Sequence, residues 1–126
     1  MTAAAANALV NSSSALGVTV AAESSHARAV TVQVKDANGN PLASAHVVRV
    51  WIATADFGSP DAANNTVTLT TGAVYQTVLA NAAYQLITDA SGKTIFTLAL
   101  PAGAATRYIL AAVNGRVYSS GAVSFD

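Results

Sequence analysis

The sequence predicts an all-β fold, a sandwich of short antiparallel strands, and three observations carry that prediction. Apolar and polar residues alternate with period two from Gly17 onward. Turn signals built from Asp, Asn, Gly and Ser recur about every ten residues. No segment of the domain shows the helical spacing of apolar residues. The pattern is plainest in Val32 to Leu42 (VQVKDANGNPL) and Thr88 to Leu98 (TDASGKTIFTL), each an alternating strand beside a turn.

Met1 to Leu16 is rich in Ala, Ser and Asn and carries neither heptads nor alternation, so it reads as a flexible arm ahead of a domain over 17–126. A helix over Ala3 to Leu9 would be marginal in water without a partner. Leu9, Val10 and Leu16 are the arm's candidate contacts with another protein or a second copy. Val18 and Val20 open the first strand. Val30, Val32 and Val34 then face one way, with Thr31, Gln33 and Lys35 opposite. Asp36, Asn38, Gly39 and Asn40 reverse the chain, and Pro41 fixes the exit. His46 to Thr54 is apolar on both faces, which predicts a central strand with Trp51 as its large anchor.

Asp56 to Asn65 (DFGSPDAANN) reads as an exposed loop projecting from the scaffold, with Asp56, Phe57, Gly58, Asp61 and Asn64 as its candidate contact residues. Thr66 to Leu69, Val74 to Leu79 and Tyr84 to Thr88 are short strands broken at Thr71-Gly72 and Asn81-Ala82. Past the Asp89 to Lys93 turn, Phe96, Leu98 and Leu100 share a face, and Pro101 to Ala104 ends the strand. Asn114-Gly115 joins Arg107 to Val113 and Arg116 to Phe125 in a final hairpin. Seven or eight short strands with such turns point to an immunoglobulin-like antiparallel β-sandwich.

Composition narrows the function classes. A chain of 126 residues buries roughly two-thirds of its unfolded surface and folds without staples, consistent with its lack of cysteine. Six basic and six acidic residues are scattered singly, so no basic stripe is present to neutralise phosphates and nucleic acid is not an expected partner. No apolar run approaches the roughly 18 residues of a membrane helix, and no membrane partner is expected. The N-terminus lacks the basic start and strong apolar stretch of a secretory signal. Charged residues make up only 10% against about 25% in ordinary domains, and apolar residues reach 52%, so part of the surface is expected to meet protein.

The residues offer little catalytic chemistry. His26 and His46 have no carboxylate or second His at ligand spacing. Asp36, Asp56, Asp61 and Asp89 sit where turn aspartates cap backbone N–H groups. The Asp36 segment echoes the start of a calcium loop but places Pro41 where that loop needs glycine. Trp51, Tyr75, Tyr84, Tyr108 and Tyr118 share no loop, so core packing is expected of them, not a carbohydrate platform. The reading is not an enzyme, with no cofactor and no metal.

VQVKDANGNPLASAHV, TDASGKTIFTL and ILAAVNGRVYSSGAVSF resemble bacterial and phage Ig-like repeats, and together cover most of the chain after Ala27. With the opening GVTVAAESSHARAVTVQVKDANGN, the combination resembles small structural proteins of tailed bacteriophages, the head fibre and capsid decoration family. That resemblance implies a virion protein assembled in the host cytoplasm onto the capsid exterior, bound to the phage major capsid protein as a homo-oligomer, a trimer or dimer, with no catalytic residues. The alternative is an adhesin-like module whose loops recognise a host glycan or receptor.

Overall fold

The computed structural model describes residues 15–126, and every regular element in them is a strand. Nine strands form: β1 Ala15–Val20, β2 Ala27–Lys35, β3 Val47–Ala53, β4 Thr66–Thr71, β5 Ala73–Leu79, β6 Ala83–Ile87, β7 Lys93–Ala99, β8 Ala105–Val113 and β9 Arg116–Phe125. They exceed the seven or eight expected because each short segment of the middle third forms its own strand. All pairings are antiparallel, in a four-stranded sheet ordered β1-β2-β7-β4 and a five-stranded sheet ordered β5-β6-β3-β8-β9.

Period-two burial builds the core between the sheets. Val30, Val32 and Val34 of β2 are fully enclosed, paired with Val20, Val18 and Leu16 on one side. On the other side Val30 meets Phe96 and Val32 meets Thr94. The facing sheet contributes Val48, Val50, Ile52, Ile109 and Ala111, all buried, and Phe96 and Phe125 are the largest enclosed side chains. β3 lies at the centre of its sheet, as its two apolar faces predict.

Two expectations are corrected here. The arm does not extend to Leu16: alternation runs back through Val18 to Leu16, which pairs with Val34 and buries its side chain in the core, leaving it unavailable to a partner. Leu9 and Val10 lie outside the described residues. Trp51 is not a core anchor either. It shares the outer face of β3 with Arg49, half-buried, its ring 5.9 Å from the Arg49 guanidinium carbon.

The four-plus-five arrangement matches the sheets of a variable-type immunoglobulin domain, but the middle strands are threaded differently. β4 takes the edge position beside β7 before the chain crosses to form β5 and β6 on the other sheet. The crossing is at Gly72, with φ of 92°. A Cβ there would lie 2.6 Å from the Ile87 carbonyl oxygen, so only glycine fits the passage between sheets. Thr94, fully buried, donates its hydroxyl to the Thr71 carbonyl at 3.0 Å and satisfies both groups at the crossing.

The two turn-flanked segments prove to be copies of one local structure. In Asp36 to Asn40, the Asp36 carboxylate accepts from the Asn38 and Asn40 amides at 2.9 and 3.0 Å, and Gly39 donates to the Asp36 carbonyl. In Asp89 to Lys93, the Asp89 carboxylate accepts from the Ser91 and Lys93 amides at 2.9 and 3.0 Å, and Gly92 donates to the Asp89 carbonyl. Both turns sit at one end of the sandwich, and the Asp89 turn packs against the chain that flanks the Asp36 turn, the Val34 amide donating to the Gly92 carbonyl at 2.9 Å. The Asn114-Gly115 hairpin closes with φ of 51° and 76°, the two-residue turn its sequence demands.

Candidate interaction surface

The Asp56 to Asn65 loop is a strap tied down along its length, not a projecting tip. Trp51 Nε1 donates to the Gly58 carbonyl at 2.9 Å, the Asp61 amide to the Ile52 carbonyl at 2.8 Å, and the Ser119 hydroxyl to Asp56. Buried Asn65 donates to the Asp61 carbonyl at 2.7 Å. Arg107, also buried, donates to Asn65 Oδ1 and the Ala63 carbonyl, each at 3.0 Å. Gly58 and Asp61 are therefore half-buried, which corrects their reading as exposed contacts. Asp56, Phe57 and Asn64 are exposed. Phe57 is 61% exposed with φ of 55°, a left-handed conformation unusual for a bulky residue. The sequence gives no sign of Arg107, because an arginine at an inward strand position reads as a break in the alternation.

The catalytic candidates do not converge. His26 lies at the strap's end of the sandwich, with Nδ1 2.9 Å from the Asp126 carbonyl oxygen and 3.7 Å from Glu23. His46 lies at the other end, its amide bonded to Thr88 and its Nε2 2.7 Å from the Ser44 hydroxyl. That exposed Ser–His pair has no third group bonded to His46 Nδ1 among the described residues. Asp36 and Asp89 are committed to their turns, and Asp61 accepts from the Ala63 amide at 2.9 Å. Asp89 is held below the ordinary carboxylate range by the Ser91 hydroxyl, then by the Lys93 amide. Among the described residues no three of His, Cys, Asp and Glu gather around a common point, and no helix is long and apolar enough to cross a membrane.

What does converge is an absence of charge. From Ala62 to Thr88, 27 consecutive residues include no Asp, Glu, Lys, Arg or His, and they form all of β4, β5 and β6. β4 and β5 are the free edges of their sheets, joined at Gly72 on the same side of the sandwich. All seven residues of β5 (AVYQTVL) are exposed. Val74 is 47% exposed, Tyr75 64%, Val78 56% and Leu79 43%. Tyr75 is thus on the surface, not in the core; Tyr84 and Tyr118 do pack against the core, and Tyr108 is half-buried.

Between these edges the sandwich is incompletely closed. Val67 and Leu69 point inward opposite Leu98 and Phe96 yet are only half-buried, and inward-facing Val74 is largely exposed. An apolar cavity of about 70 Å³ lies behind them, lined on the far side by Val50, Ile52, Leu86 and Phe96. Its lining carries no charge, so it suits apolar side chains and not a charged substrate.

No protein-family model matches the chain, and no curated protein matches it.

Proposed function

We propose that this chain is a non-enzymatic structural protein that acts by binding other proteins, and that its setting is the outer surface of a tailed-phage capsid, where it serves as an oligomeric decoration, cement or head fibre protein. The observation that carries the binding role is the charge-free side formed by β4, β5 and β6, with Val74, Tyr75, Val78 and Leu79 exposed on it. β5 carries neither the charges nor the proline that guard many natural sheet edges, and only two register shifts against β6 interrupt its ladder. Contiguous exposed apolar side chains of this kind mark protein interfaces. The capsid as partner rests on the resemblance of the DANGN and DASGK strands, and of the NGRVYSSGAVSF hairpin, to phage Ig-like structural proteins. The aspartates of those motifs shape turns, in keeping with a role without chemistry.

The test is co-sedimentation of the purified chain with capsids assembled without it. Saturable pelleting at micromolar concentration is the expected result; a chain that stays in the supernatant rules the capsid role out. A second reading, a glycan-binding module, is favoured by one observation, the exposed Phe57 held on the strap. It predicts glycan-array binding that Phe57→Ala abolishes.

A further inference from the structure

We infer that buried Arg107 anchors a binding site for a small aliphatic monocarboxylate, in the hollow beside the Pro101 to Ala104 loop. The inference goes beyond the structural role above and rests on neither the capsid nor the β5 surface.

Its starting point is an uncompensated charge. An arginine keeps its charge inside a protein, and burying that charge is costly unless a counter-charge and a full set of acceptors replace the lost water. Among the described residues Arg107 is the one buried cation, 8% exposed, and no carboxylate lies within ion-pair distance of it. Its acceptors are Asn65 Oδ1 and the Ala63 and Thr106 carbonyls, all neutral. Those bonds engage Nε and one N–H on each terminal nitrogen, out of the five N–H groups that a guanidinium carries. One N–H on Nη1 and one on Nη2 are left without an acceptor among the described residues. Two donors on one planar fork match the two oxygens of a carboxylate.

Arg107 also lines a space that a ligand can enter. An open hollow of about 190 Å³ lies where the strap, the β7–β8 loop and β8 meet, bounded by Asn64, Leu100, Pro101, Gly103, Ala105 and Arg107. At roughly 30 Å³ per water molecule it holds about six waters, or a carboxylate on a stem of a few carbons. The lining discriminates among anions. Arg107 is the one charged residue in it, so a single negative charge is neutralised and a phosphate, which carries more than one at neutral pH, is not. Leu100, Pro101 and Ala105 offer apolar surface to an aliphatic stem. Asn64 is exposed at the rim, with no hydrogen bond to its side-chain amide among the described residues, and supplies a further donor.

Butyrate is the probe. The isotope-labelled full chain, in Tris chloride buffer at neutral pH, is titrated with sodium butyrate and followed by amide and arginine Nε–H correlation spectra. Saturable shifts of the Arg107 Nε–H and of the Asn64, Gly103 and Ala105 amides are expected, with half-saturation at about 1 mM. Butyramide, which has the same shape and no charge, and sodium chloride should leave these resonances in place at equal concentration. In urea unfolding, butyrate at about ten times its half-saturating concentration should lower the unfolded-to-folded ratio about elevenfold. Asn64→Asp tests the site with Arg107 kept in place. Aspartate adopts the left-handed conformation found there, φ of 63°, and its carboxylate at the rim should raise the half-saturating concentration at least tenfold. No saturable shift in the unmodified chain, shifts that butyramide or chloride reproduces, or half-saturation unchanged in Asn64→Asp overturns the inference. Inorganic phosphate that saturates the same resonances at lower concentration than butyrate overturns the choice of a monocarboxylate.

Discussion

Replacing Arg107 with methionine tests how the strap is held to the sandwich. Arg107 occupies an inward position of β8 opposite Val123 and is 8% exposed. It donates to Asn65 Oδ1, the Ala63 carbonyl and the Thr106 carbonyl, each at 3.0 Å. Ala63 and Thr106 are exposed residues whose carbonyls can turn to water. Asn65 is buried, so its Oδ1 would be left without a donor, and an orphaned buried acceptor costs about 1–3 kcal/mol. Methionine fills most of the arginine stem's volume, so packing loss adds little. Arg107→Met is therefore expected to lower unfolding stability by about 2 kcal/mol, a sizeable part of the roughly 5–15 kcal/mol of a typical domain. Urea unfolding followed by fluorescence of Trp51, the sole tryptophan, measures it. Asn65 also donates to the Asn81 carbonyl, and Asn81 accepts from the Val67 amide on β4, so exchange of the Asn65 and Val67 amides should quicken together. All the acceptors are neutral, so the loss should hold steady between about 0.05 and 0.5 M salt. A loss below about 0.5 kcal/mol, or one that salt removes, would refute the argument.

Two further predictions concern the paired Asp turns. Gly92→Ala should destabilise by at least about 2 kcal/mol, since φ is 77° there and the added Cβ would collide with the Leu42 carbonyl oxygen; thermal unfolding checks it, and a neutral effect would show that the two turns separate at little cost. Asp89→Asn should lower the urea midpoint at neutral pH. The folded carboxyl titrates below its unfolded value because of the Ser91 hydroxyl, so its stabilising charge is fully present above the ordinary carboxylate range and is lost as pH falls through and below it. The gap between wild type and variant should close over that acid range; a gap that widens there contradicts the sign.

The fold was legible because its signals are local. Val30, Val32 and Val34 alternate in sequence and in burial, and Asn114-Gly115 permits few alternatives to a tight hairpin. The repeated Asp-Ala-x-Gly pattern foretold its two turns for the same reason. The middle third was less legible, because Gly72 marks a break without saying which sheet the chain enters next; only the contact with Ile87, fifteen residues on, decides that. Trp51 misleads because a large aromatic on a central strand reads as core, while its indole N–H is satisfied by the strap carbonyl of Gly58 on the outer face. Arg107 and Asn65 are 42 residues apart, and no local pattern announces their bond. The uncharged run from Ala62 to Thr88 is written in the sequence, but its meaning as one continuous side emerges only when β4 and β5 become neighbouring free edges.

The claim that this edge is where the chain meets protein is tested most directly by amide exchange of the intact protein, free at high dilution and again after incubation with capsids assembled without it. Slowed exchange over Ala73 to Leu79 on assembly is the predicted result, with β9, the opposite edge of the same sheet, unchanged. Exchange across β5 that is as fast in the assembly as in the free chain contradicts the account.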